Sequence, residues 1–251
     1  MRAMTKNRLR AWERRRQEQR TDWTAEEVGM DPARYRQLLA DVFDRPLPDG
    51  VRDEWYWDPD AVEPDATALE WTRFQTVLFA NAGADLAPFD DERVGMGLRY
   101  LMDNGNSNVP YAAIDASTPL DEALRLLATM PVLWRDVFGP RLGHVRRSIG
   151  SAAGGRLGSA CYMWFDVWPT FHLARDVPGW RDAMWTLLES LLAMPWREVQ
   201  VSALHGIGHN TGYLARQPAI DAAIAAFVQQ VNPLDEELRA YAEAARLGRV
   251  Q

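Results

Sequence analysis

The sequence predicts an all-α fold, and three observations carry that prediction. Apolar residues recur at three- and four-residue steps, most clearly at Trp180, Met184, Leu187, Leu188 and Leu191. Helix-start signals recur along the chain, as at Asp31-Pro32 and Thr118-Pro119. No stretch alternates apolar and polar residues as a half-buried strand does.

Taken in order, Asp31 caps and Pro32 opens a first helix, with Tyr35, Leu38, Leu39, Val42 and Phe43 inward. Residues 45–65 follow as a long ordered loop, marked by Pro46, Pro48, Pro59 and Pro64 among acidic residues, with Trp55, Tyr56 and Trp57 at its centre. Leu69, Phe74, Val77, Leu78 and Phe79 place a helix over Ala68 to Ala82, ended by Gly83. Another covers about Asp90 to Met102 and stops at Asn104-Gly105. Thr118 then caps a helix with Pro119 at its start, Asp121 in its first turn, and Ala123, Leu124, Leu127 and Met130 inward.

Residues 139–158 carry Arg141, His144, Arg146, Arg147 and Arg156 among glycines. They lack the lysine and hydroxyl of a nucleotide-binding loop and are expected to form a mobile basic surface loop. Tyr162 to Trp168 is apolar almost all round and belongs in the core. Helices over Pro178 to Met194, Pro195 to Leu214, Pro218 to Val228 and Pro233 to Leu247 complete the chain.

With 47% hydrophobic and 25% charged residues over 251 positions, the chain can bury a core large enough to fold without staples. A single cysteine, Cys161, excludes an intrachain disulfide and a thiolate zinc cluster. No secretory leader and no membrane-spanning run is visible, so a cytoplasmic location and no membrane contact are expected. The first twenty residues carry eight basic and two acidic groups, +6 of a total charge of −7, which leaves −13 on the rest. The organisation expected is a basic arm over 1–24 and one all-α domain over 25–251. Such an acidic body disfavours nucleic acid and favours a protein partner, a basic one on charge grounds.

Leu126 to Val137 is echoed by Leu191 to Val199: Leu-Leu-Ala, Met-Pro, Trp-Arg, an acidic residue and valine recur, suggesting a helix, a proline-marked break and a second helix used twice. In the second copy, Arg197-Glu198-Val199-Gln200 and Ser202-Ala203-Leu204-His205-Gly206-Ile207-Gly208-His209 resemble the second helix of a HEAT-like repeat, over roughly residues 178–230. Val199, Ala203, Leu204 and Ile207 match the inward positions. The resemblance implies a compact, α-solenoid-like stack of helical hairpins, a class commonly used as a protein-binding scaffold. The loops at 45–65 and 139–158 depart from a regular superhelix.

His205 and His209 stand four residues apart and share one helix face, as two ligands of one metal would. Gly206 stands where a metalloprotease helix carries its glutamate, and a third ligand must come from elsewhere, Asp166 or His172 being the candidates. A structural role, with both histidines hydrogen-bonded across a helix pair and Gly206 and Gly208 serving close packing, is the competing expectation. Asp166 lies in the most apolar segment, so a buried arginine or histidine partner is expected. Cys161 has no basic neighbour in sequence and is expected to be inert. No serine elbow or dinucleotide fingerprint is present. The leading expectation is therefore a non-enzymatic adaptor or immunity-type protein without a cofactor, its exposed face including His205, His209, Trp55 and Trp57, with Asp166 a further candidate binding residue. A metal-dependent hydrolase built on His205 and His209 is the alternative.

Overall fold

The computed structural model describes residues 20–48, 54–145, 148–151, 154–169, 177 and 179–250. Among them there are eleven α-helices and no strand. These are α1 Pro32–Phe43, α2 Ala68–Ala80, α3 Ala82–Asp85, α4 Asp91–Met102, α5 Leu120–Leu133, α6 Gly139–Leu142, α7 Gly155–Val167, α8 Trp180–Leu192, α9 Arg197–Leu214, α10 Gln217–Gln230 and α11 Glu236–Arg246. Among the described residues no helix is long and apolar enough to cross a membrane.

The longer helices pack mainly with the next but one, and two rows result: α1, α4, α7, α9 and α11 in one, α2, α5 and α8 in the other. The rows meet most extensively where α8 lies on α9. That seam needs a glycine. A Cβ on Gly206 would sit 2.9 Å from both Leu188 Cδ2 and Phe165 Cβ, closer than real contacts allow. Gly208 is equally tight, with Val250 Cγ2 2.5 Å from a Cβ placed there. Close packing is thus a role of both glycines.

The interior is aromatic. Trp134 stacks on Phe165 with ring centres 5.4 Å apart and meets the edge of Trp164 at 5.1 Å. Its indole N–H donates to Ser202 Oγ at 3.2 Å, and that hydroxyl donates to the Cys161 carbonyl at 2.6 Å. This buried relay ties α7 to α9 and removes the cost of leaving three polar groups unpaired.

Several expectations change in detail. Trp23 is buried and its carbonyl accepts from Asn81, so the packed body starts before residue 25; the arm itself, residues 1–19, lies outside the described residues. Gly83 does not end α2; Asn81 is its C-cap and Gly83 lies inside α3, with Asp136 Cβ 3.1 Å from a Cβ placed there. Thr118 does not cap α5, because its hydroxyl donates to the Ala112 carbonyl at 2.8 Å instead, leaving Pro119 at the N-cap. Pro131 does not break the helix that carries it. It lies within α5, which runs on through a π-helical turn, Trp134–Phe138, into α6, whereas the second copy does break between Leu192 and Arg197. The proline costs a hydrogen bond, and the widened π turn supplies the local adjustment. The echoed segments are therefore not structural copies.

The expected loops also differ in detail. Within 45–65, Trp55–Trp57 forms a 3-10 turn clamped on α4, where Trp55 lies 4.7 Å from Tyr100 beneath the Arg45 guanidinium. Residues 139–142 and 155–158 are helical, so both ends of the expected basic loop belong to helices. Arg141 donates to the Leu86 and Phe89 carbonyls and pairs with Asp91; Arg156 pairs with Glu92 and Glu54. These two arginines are fixed parts of the body rather than a mobile loop.

Candidate metal centre

Three consecutive helices of the longer row, α7, α9 and α11, build one polar cluster. On α7, Tyr162 and Asp166 stand four residues apart and so share a face; on α9, His205 and His209 do the same. The Gly206 contact lets the two faces meet. One ligand atom from each of Asp166, His205 and His209 lies within 4.8 Å of the others. His209 Nδ1 is 3.5 Å from Asp166 Oδ1, and the two imidazole rings meet edge to face at 4.5 Å.

His205 is the buried member, only 1% exposed. Its Nδ1 lies 2.6 Å from the Tyr241 hydroxyl of α11, and Tyr241 in turn is 3.2 Å from the Tyr162 hydroxyl. The Tyr162 ring packs on the imidazole at 4.1 Å. Burial first, and the neighbouring His209 second, push the His205 pKa down to about 3, so the ring is neutral at pH 7. Burial and the Tyr162 hydrogen bond push the Tyr241 phenol up, so it remains protonated.

A neutral imidazole carries one N–H, and Nε2 of His205 is buried without a partner among the described residues. The tautomer that leaves no N–H stranded puts the proton on Nδ1, donating to Tyr241, whose hydroxyl donates on to Tyr162. Nε2 then keeps a bare lone pair. An imidazole oriented through its other nitrogen in this way is the usual state of a metal-ligating histidine.

An ion about 2.0–2.1 Å from each of three ligands holds them roughly 3.4 Å apart; His209 and Asp166 are already near that spacing, and the ligand atoms, within 4.8 Å of one another, would have to close by at most about 1.4 Å. His209 and Asp166, about one-third exposed, have room to move. The donor set of two imidazoles and one carboxylate suits zinc or another divalent transition ion. Asp166 departs from expectation in one respect: its partner is a histidine, but the carboxylate is half-buried rather than enclosed, because it lies near the C-terminal end of α7. His172, the other candidate third ligand, lies outside the described residues.

The two tryptophans do not join this site. Trp55 is buried against Tyr56 and Tyr100, so it is not on an exposed face; Trp57 is 51% exposed and meets Tyr56. His205, likewise expected at an exposed face, is enclosed. Sequence reasoning missed Tyr162 and Tyr241. Tyr162 had a visible signal, its four-residue spacing to Asp166; Tyr241 had none, since only helix packing brings α11 to α9.

Comparison of the chain with protein families, with curated proteins and with solved structures finds no match in any of the three.

Proposed function

We propose that the chain is a metal-dependent hydrolase whose divalent ion is held by Asp166, His205 and His209. The observation that carries this reading is the gathering of Asp166, His205 and His209, one ligand atom of each within 4.8 Å of the others, with the His205 imidazole held through Nδ1 by Tyr241 and its Nε2 buried without a partner among the described residues. Three protein ligands leave a coordination position for water, and an ion so placed supplies a nucleophile at neutral pH by lowering the pKa of that water to about 7. The partial exposure of His209 and Asp166 gives water a route to that position.

The test is metal titration of chelator-treated, untagged protein with Zn²⁺ and Mn²⁺, beside His205→Ala, followed by hydrolysis of activated ester and phosphate substrates. Binding of about one equivalent, lost in the variant together with hydrolysis, supports the reading. Binding without hydrolysis leaves a structural metal site; no binding removes the hydrolase.

A second reading, a HEAT-like adaptor for a basic protein, draws on the two-row stacking of alternate helices and on the −13 carried by residues 21–251. A pure scaffold would show the same melting temperature with metal and with chelator.

A further inference from the structure

Gly212 stands on α9 three residues past His209 and seven past His205, so it continues the face that carries both imidazoles. Packing does not account for it. A Cβ at Gly212 would meet no described atom within 4 Å, whereas Gly206 and Gly208 of the same helix are tight against Leu188, Phe165 and Val250. A glycine inside a helix costs stability relative to alanine, and here no close contact offsets that cost.

The direction of helical side chains gives the position its meaning. They lean toward the N-terminus of their helix, so whatever stands at 212 lies over the turn that holds His209 and Gly208. His209 is the exposed imidazole of the metal cluster, and a side chain at 212 would roof it. The last described residues of the chain pass alongside without doing so. Gly248, at φ 66°, lies so close that a Cβ there would be 2.8 Å from Thr211 Oγ1, and Val250 packs on Gly208. A strip of bare backbone is thus left along α9 from His209 to Gly212, with Val250 beside its near end. Its peptide groups are bonded within the helix, so the strip offers an uncharged surface.

We propose that Gly212 is a specificity-determining position of the metal centre, left without a side chain so that an uncharged, extended group of the substrate lies along α9 while its ester or amide carbonyl reaches the ion. This rests on the hydrolase reading above and adds a substrate class to it: esters or amides whose acyl group is longer than acetyl.

The experiment is calorimetry on the full chain, loaded with zinc, using two hydroxamates that chelate an ion through the same two oxygens. Acetohydroxamate ends in a methyl group, and hexanohydroxamate carries a longer alkyl tail. Gly212→Ala and Gly212→Leu are compared with the unsubstituted chain. Both should bind zinc within about threefold of it and melt no lower, because either residue is a better helix former than glycine. Hexanohydroxamate should bind at least about tenfold more weakly to Gly212→Leu, whose side chain leans over His209, while acetohydroxamate changes by less than about threefold. Equal loss of both probes, retention of both, or no binding of either to the zinc-loaded chain overturns the proposal. So does loss of zinc in Gly212→Leu, which would make residue 212 part of the ion's own seat. Absence of zinc binding by the unsubstituted chain removes the metal centre and this inference with it, whereas zinc binding with an unchanged probe preference removes the inference alone.

Discussion

Nδ1 of His205 lies 2.6 Å from the hydroxyl of Tyr241, across the packing of α9 on α11. That bond selects which nitrogen of a neutral, buried imidazole keeps its proton, and hence which one is left as a donor of electrons. Tyr241→Phe keeps the ring and the packing but removes the hydroxyl. Zinc affinity should fall by about 10- to 100-fold, with the number of ions bound unchanged, as loss of an orienting partner does elsewhere. Competitive titration with a chromophoric chelator measures it; an unchanged affinity would show that Tyr241 does not orient the ligand.

Two glycines of α9 should respond in opposite directions. Gly206→Ala forces a Cβ to 2.9 Å from Leu188 and Phe165 and should destabilise by about 1–3 kcal/mol, with any metal affinity falling as α7 and α9 part. Gly212→Ala meets nothing within 4 Å and should stabilise by about 0.5–1 kcal/mol through helix propensity alone. Urea unfolding of the two variants decides it, and a destabilised Gly212→Ala would contradict the packing described.

Ala215 ends α9 in the left-handed region at φ 53°, a conformation alanine adopts at a cost and glycine does not. Ala215→Gly should therefore stabilise by about 0.5–1 kcal/mol, read as a higher denaturation midpoint at constant slope. A lower midpoint would mean that the methyl group contributes packing that outweighs the strain.

The Tyr35 phenol donates to Asp85 Oδ2 at 2.5 Å, and burial first, then this bond and the carboxylate charge, hold its pKa far above the usual value near 10. A folded-state pKa above the unfolded one contributes stability that is fully present below about pH 10 and is lost as pH rises beyond it. Thermal stability should thus decline above about pH 10, and Tyr35→Phe should be less stable at pH 8 but show a shallower decline. Parallel curves for the two proteins would assign the alkaline loss to other groups.

The boundaries between sequence and tertiary structure follow physical lines. Helix existence was legible wherever a three-to-four-residue apolar stripe coincided with a local start signal, as at Asp31-Pro32, whose side chain does cap α1. Local signals failed where a distant partner competed. Thr118 has a cap's chemistry, but the Ala112 carbonyl takes its hydroxyl. Pro131 has a breaker's chemistry, but a buried α5 continues through it into a π turn.

For the candidate metal centre, the sequence alone determined that His205 and His209 share a face, because a four-residue step on a helix fixes that whatever surrounds it. It also singled out Asp166, since a carboxylate in an apolar run must find a partner. Only the tertiary structure decided that the partner is His209, that Tyr241 orients His205, and that Trp55 is enclosed rather than offered. These are relations between helices, set by how closely α7, α9 and α11 can approach, and helical periodicity carries information about a helix's own faces but none about which face of another helix they meet.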